Sequence, residues 1–278
     1  MLFTNSHLER ALAFLRSADA DIICLQEVPK QFLLQLRALP YELVSAQEIE
    51  RVHRSGRSAQ YLVILSRYPI RRRQAVRLPL RDTHDPLRTR LFVRVMRALG
   101  VWAQGVGDRH ALIADLDTHD GIVRVFNLHL PLHRFAWRQE EFELALAERD
   151  ATIPTIVCGD FNTLESRRIA VLSWLLGGRF ASAVRWRRER TNMQERFDAH
   201  GLTNPLRGRI THPLSNSQLD HILASKHFFV GESAAQRETI GSDHRPIFAV
   251  LSRFPIAQTN DNHEDRGRSE RYELIQRR

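Results

Sequence analysis

Apolar residues recur along this chain in two rhythms, and the switches between them lay out the elements. Leu8, Leu12 and Leu15 fall at helical spacing behind Ser6-His7-Leu8-Glu9, which has the Ser-x-x-Glu form of a capping box, so a helix is expected from about 6 to 17. A short strand, Asp21 to Leu25, follows, and Pro29 is placed to open the next helix at its first turn. Tyr61-Leu62-Val63-Ile64-Leu65-Ser66 reads as a buried strand stopped by Arg67-Tyr68-Pro69. Further strands are expected at 110–117, 122–130, 154–159, 218–224 and 246–252, with helices at about 134–149 and 166–176. Several strands are wholly apolar, and helices come between them without a strict β-α-β alternation. That pattern predicts an α/β fold of two packed sheets with helices outside.

A chain of 278 residues is comfortable for one large domain, expected over 1–254. From about Pro255 the sequence turns polar and charge-mixed, Thr259-Asn260-Asp261-Asn262 and onward, so 255–278 is expected to be a disordered tail. No apolar run is long enough for a transmembrane segment, and no secretory leader is visible at Met1-Leu2-Phe3, so a cytoplasmic protein is expected. Cys24 and Cys158 each lie inside an apolar run, and buried free thiols are the expectation.

Charge changes the picture more. The net is +9, with Lys30 and Lys226 the only lysines. Residues 51–109 hold fourteen arginines against Asp82, Asp85 and Asp108, a block that suits an anionic partner such as nucleic acid, a phospholipid surface or a phosphorylated small molecule.

Candidate chemistry sits at strand ends. Leu25-Gln26-Glu27, Gly159-Asp160-Phe161-Asn162, Leu219-Asp220-His221 and Ser242-Asp243-His244 put carboxylate, amide and imidazole groups where a rigid sheet can hold them at an open rim. Each segment alone has a plain reading: Gly-Asp-x-Asn makes turns, and Asp-His caps helices. Gathered at one rim, the carboxylates would repel, and a hard divalent cation, Mg2+ or Mn2+, is the simplest way to stabilise them. The cysteines' strand positions and the absence of a His-Glu-x-x-His pattern argue against zinc.

Taken in order, six segments resemble the endonuclease/exonuclease/phosphatase, or deoxyribonuclease-I-like, family: Asp21 to Val28, Ile64 to Ile70, Asn127-Leu128-His129-Leu130, Gly159-Asp160-Phe161-Asn162, Leu219 to Leu223 and Ser242-Asp243-His244-Arg245-Pro246. The resemblance implies a four-layer α/β/β/α sandwich and metal-assisted hydrolysis of a phosphate ester by in-line attack of water. It implies Glu27 as principal metal ligand and Asp243 as a second acidic group at the metal. Asp160 and Asn162 would orient water and hold the phosphate, with either Asp160 or His244 as base. Asp220 would fix the His244 tautomer, and His129 would stabilise charge or assist the leaving group. The resemblance also implies an N-terminal strand carrying an asparagine. Here the helix starts almost at once, and Asn5 reads as part of its entry, so that first strand is expected to be missing. Either the native start lies upstream, where a signal could lie, or the enzyme is truncated and weakened.

His133, His212 and His221 lie near these motifs but are expected to be exposed or structural. For the substrate, Arg71-Arg72-Arg73 and Arg185-Trp186-Arg187-Arg188, within 185–190, suit nucleic-acid phosphates, the tryptophan being able to stack on a base. The segment 88–102 reads as a basic apolar helix, packed on the domain or lying on a membrane surface. Nucleic acid is the first substrate expected, a phospholipid or inositol phosphate the alternative, and a catalytically weak phosphate-binding module the reading from another class.

Overall fold

The computed structural model describes residues 7–53, 56–79, 86–99, 104–106, 108–163, 165–254 and 272–277. In chain order the elements are α1 (Leu8–Ser17), β1 (Ile22–Pro29), α2 (Lys30–Leu36), β2 (Glu42–His53), β3 (Gly56–Ser66), β4 (Ile70–Leu78) and α3 (Leu87–Ala98). Then come β5 (Gln104–Val106), β6 (Arg109–Thr118), β7 (Gly121–His129), α4 (Phe135–Leu146), β8 (Thr155–Asp160) and α5 (Arg167–Leu175). The rest are α6 (Phe180–Val184), α7 (Trp186–Ala199), β9 (Leu202–Thr203), β10 (Asp220–Ser225), β11 (Phe229–Ala235), β12 (Ile247–Ser252) and β13 (Tyr272–Arg277). The Ser6 of the expected capping box lies outside the described residues, and α1 starts behind His7 without a side-chain cap. At α5 the cap is real: Ser166 accepts from the Ile169 amide.

Two sheets form, in the orders β11-β12-β13-β1-β3-β2-β5 and β4-β6-β7-β8-β10-β9. The apolar strands expected to be covered on both faces are so covered, and the buried residues separate into layers accordingly. Ile22, Cys24, Ile64, Leu112, Val125, Cys158 and Ile222 fill the space between the sheets. Leu12 and Leu15 of α1 and Phe32 and Leu36 of α2 cover the outer face of the first sheet with Ile23, Val63 and Leu65. Phe142 of α4 and Met193 and Phe197 of α7 cover the second with Phe126, Val157 and Leu223. The four-layer sandwich is thereby observed, with both cysteines free and buried. Among the described residues no helix is long and apolar enough to cross a membrane.

One expectation needs correction, at the C-terminal end of the chain. The tail from Pro255 is not wholly without structure: Tyr272–Arg277 forms β13, parallel to β1 and antiparallel to β12, while 255–271 and 278 lie outside the described residues. The physical reason is that β1 and β12 both present backbone donors and acceptors toward the same central slot, and a segment laid between them satisfies both. Residues 1–6, on which the expectation of a missing first strand falls, lie outside the described residues, and β1 stands between β13 and β3 in its sheet. Deleting residues 272–278 should therefore split the first sheet and lower the melting temperature by roughly 5–10 °C, on the scale of several net hydrogen bonds. An unchanged melting curve would mean that β13 adds nothing to the fold.

Candidate active site

Three strand ends meet at one rim of the second sheet. β7 and β8 run parallel and finish with His129 beside Asp160, and the antiparallel β10 begins with Asp220 opposite Asp160. The close approach needs a glycine: a Cβ on Gly159 (φ 156°) would lie 2.0 Å from the Leu128 carbonyl oxygen.

The first sheet supplies two carboxylates through β-bulges. Pairing of β1 with β3 slips between Leu25 and Val28, so Gln26 and Glu27 share the space of one partner residue, and Glu27 adopts φ 54°. A left-handed backbone at a glutamate costs free energy, and it turns the side chain out of the strand's alternation. Pairing of β2 with β3 slips between Gln47 and Ile49, and the extra residue is Glu48. The two bulges interlock, because the Glu27 amide donates to Glu48 Oε2 at 2.8 Å. Beneath them the sheets are pinned by fully buried amides: Gln26 Nε2 donates to Asn127 Oδ1 at 2.6 Å, and Asn127 Nδ2 lies 2.9 Å from both the Leu25 and Val63 carbonyls.

Side chains then close over this floor. His129 Nδ1 contacts Glu48 Oε1, while its Nε2 stands 3.7 Å from Asp160 Oδ2 and 4.0 Å from Glu27 Oε1. Burial acts to raise the Glu48 pKa, but the His129 ring outweighs it and the carboxyl is held below its ordinary value. Arg51 Nη2 donates to Glu27 Oε1 at 2.7 Å. Arg109, paired with Glu141 of α4 at 2.8 Å, also donates to the His129 carbonyl and so fixes the end of β7.

On the other side, His244 Nδ1 lies 2.6 Å from Asp220 Oδ2, both residues being almost fully buried. Burial favours the uncharged form of each group, acting to raise the Asp220 pKa and lower that of His244, yet their mutual attraction prevails: Asp220 falls and His244 rises. Thr211 Oγ1 accepts from the Leu219 and Asp220 amides and braces the strand start. Asp160 Oδ1 accepts from the Asn162 amide at 2.8 Å, and Asn162, at φ 49°, turns its own Nδ2 to the Leu130 carbonyl. As placed, Asn162 buttresses Asp160.

Potential ligand atoms fall in three sets, each within 4.8 Å: Glu27, Glu48 and His129; Asp160, Asp220 and His244; and His212, Asp243 and His244, the last two sharing His244. No set among the described residues holds Glu27 and Asp243 together, although His244 feels the charge of both. All seven residues expected from the sequence thus gather at one rim. Glu48, Arg51, Arg109 and Thr211 were not expected there, since in the sequence they look like ordinary positions on solvated strands and loops. His212 also joins the rim, its ring 4.7 Å from that of His244.

His221 is structural, as expected. Its ring packs at 4.9 Å from Phe161 and 5.6 Å from Phe197, and burial takes its pKa down to about 4. A histidine with a folded pKa below its unfolded value takes up a proton on unfolding. Stability therefore falls as pH drops below about 6.5 and goes on falling toward pH 4, by roughly 2 kcal/mol at pH 5. The substitution His221→Phe should flatten this acid limb in pH-dependent thermal melts. An acid limb as steep as that of the parent chain would show that other groups set it.

A sequence profile described as the Endonuclease/Exonuclease/phosphatase family matches residues 2–244. Among curated proteins the sequence finds no match. Solved structures share the fold at low identity. An endonuclease/exonuclease/phosphatase from Beutenbergia cavernae is 16% identical with a TM-score of 0.58, over 88% of this chain and 72% of that one. A mannosyl-6-phosphatase from Bacteroides thetaiotaomicron is 18% identical with a TM-score of 0.53, over 88% and 90%. D. rerio TDP2 complexed with a single-strand DNA product is 16% identical with a TM-score of 0.54, over 90% and 93%.

Proposed function

Since this chain belongs to the Endonuclease/Exonuclease/phosphatase family and is a hydrolase of phosphoester bonds, we propose that it cleaves a phosphodiester by in-line attack of water, with Mg2+ or Mn2+. The observation that carries this reading is the pair of carboxylate–imidazole contacts, Asp220–His244 and Glu48–His129, flanking Asp160 at one rim.

The donor set fits a hard divalent cation. Its atoms are mainly carboxylate oxygens, and Asp243 Oδ1 is buried with no hydrogen-bond partner among the described residues. Glu27 and Asp243 would hold the ion, with Glu48 next to Glu27. When bound, the cation supplies positive charge to the phosphoryl oxygens and lowers the pKa of water. The protein's own groups do the rest. Asp220 accepts the Nδ1 proton of His244, so that Nε2 is the nitrogen that meets the phosphoryl group. The raised His244 pKa favours the imidazolium, a donor to negative charge on that group. Asp160, held by the Asn162 amide, is then the acceptor for the proton of the attacking water. Glu48 fixes the His129 ring by its Nδ1, leaving Nε2 to face the leaving-group side.

The arginine block supports nucleic acid less than its charge count promised. Acids from elsewhere fold back onto it, Arg67 meeting Asp19, Arg71 meeting Asp117 and Arg72 meeting Glu148, and within the block Arg77 meets Asp108. Arg72 and Arg73 pair in register with Asp115 and Ala114, whereas the active-site end of β4 is Leu78, opposite Arg109. Arg71-Arg72-Arg73 therefore belong to the end of the sheet away from the rim. Trp186 packs on Ile169 and Leu219 with Arg187 over its ring at 5.3 Å, so its stacking surface is partly used.

Hydrolysis of bis-p-nitrophenyl phosphate in heavy-oxygen water tests the chemistry. The label should enter the phosphate-containing product. Label in the p-nitrophenol would mean attack at carbon and would sink the mechanism.

A further inference from the structure

The helix α3 is built inside out. Leu87, Leu91, Val95 and Leu99 recur every four residues and are 73%, 61%, 49% and 68% exposed, so they form one apolar stripe facing solvent. Thr89 is buried, and Phe92, Val93 and Met96 make the half-buried inner face. Arg90, Arg94 and Arg97 are exposed along one flank of the stripe, and no acidic residue occurs from Leu87 to Leu99. A helix packed only to stabilise the domain would turn its leucines inward.

The helix also sits at the catalytic end. The end of α5 against which it packs lies beside the chain leaving β7: Ser173 Oγ donates to the carbonyl of His133, four residues beyond His129, at 3.1 Å. Arg88 fastens α3 to that end of α5, donating to the Gly178 carbonyl at 2.8 Å and lying 5.0 Å over the Trp174 ring. The Trp174 ring in turn meets Phe180 of α6 edge-on at 6.2 Å. Phe180 and Val184 are themselves strongly exposed, so α6 adds apolar surface beside the Trp174 anchor of α3. The other end of α5 begins at Ser166, which touches the Ser215 carbonyl and Ser217 beside His212.

We propose that α3, together with Phe180 and Val184, docks the catalytic end of this protein on an anionic lipid surface. Charge decides the occupant. An apolar stripe flanked by cations fits a bilayer, where leucines enter the acyl boundary and arginines stay with the headgroup phosphates. A second copy packed isologously would set the same arginine rows close together. A nucleic-acid strand would engage the arginines and leave four large apolar side chains in water. Docking itself stands apart from the phosphodiesterase reading. Only its consequence, that the rim faces lipid-borne phosphoesters, rests on that reading.

Co-sedimentation of the full chain with phosphatidylcholine vesicles, with and without phosphatidylglycerol, tests this. The chain should pellet with the anionic vesicles. The double substitution Leu91→Glu/Val95→Glu should weaken binding at least tenfold, and Arg90→Gln, Arg94→Gln and Arg97→Gln by about fivefold each at low salt. These side chains are exposed, so melting temperature and bis-p-nitrophenyl phosphate turnover should not change. Vesicle binding without turnover in the parent chain would leave docking standing and remove the phosphodiesterase reading. The proposal is overturned if the parent chain stays in the supernatant, or if the double variant pellets equally well. It is also overturned if the stripe proves to hold a dimer that the double variant dissociates, or if the arginines bind single-stranded DNA and not vesicles.

Discussion

The substitution Glu27→Gln should lower bis-p-nitrophenyl phosphate turnover by about a thousandfold while leaving the chain folded. The side chain keeps its shape and size, so the β1 bulge and its φ of 54° survive, held by the backbone bond to Glu48. What goes is one negative charge in a nearly buried position that also receives Arg51 at 2.7 Å. A carboxylate that holds a divalent cation gives several kcal/mol of transition-state stabilisation, and about 4 kcal/mol corresponds to three orders of magnitude. The measurement is kcat with saturating Mn2+, alongside thermal melts. A loss under tenfold would mean that Glu27 is only the partner of Arg51.

The second large effect is expected at His244. His244→Gln should cost about 100- to 10,000-fold in kcat, the range for a group that exchanges or donates a proton at the reacting phosphate. Asp220→Asn should cost less, about 10- to 100-fold, the usual range for a partner that orients a functional group. The double variant should be little worse than His244→Gln alone, because Asp220 acts through the ring that it holds at 2.6 Å. Multiplying effects in the double variant would separate the two residues and contradict the dyad.

These residues were legible because strand ends carry their chemistry in short contiguous segments. Asp160, Asp220 and His129 need only the register of three adjacent strands to come together, and apolar runs of the kind Ile156-Val157-Cys158 announce such strands plainly. Glu48 was not legible. Its place depends on a bulge in β2, and a single sequence gives no sign of where pairing will slip by one residue. Arg51 and Arg109 were hidden among many arginines, and only the fold distinguishes the one at Glu27 from those on the outer strand. The helices α6 and α7 and the strands β2, β4 and β11 also escaped. Polar residues dilute the apolar rhythm of the longer ones, as the alternating exposure of β4 and the three buried residues of α7 illustrate, and the five residues of α6 are too few to show a helical period. The arginine block misled for a related reason: charge was counted along the chain, whereas Asp19, Asp117 and Glu148 neutralise it in space.

The most direct test is turnover of bis-p-nitrophenyl phosphate by chain stripped with EDTA, then titrated with Mg2+ or Mn2+ against Ca2+ as a control. The account predicts no turnover in the stripped chain and saturable recovery with Mg2+ or Mn2+, absent in Glu27→Gln. Full turnover in the stripped chain, or equal recovery in Glu27→Gln, would contradict it.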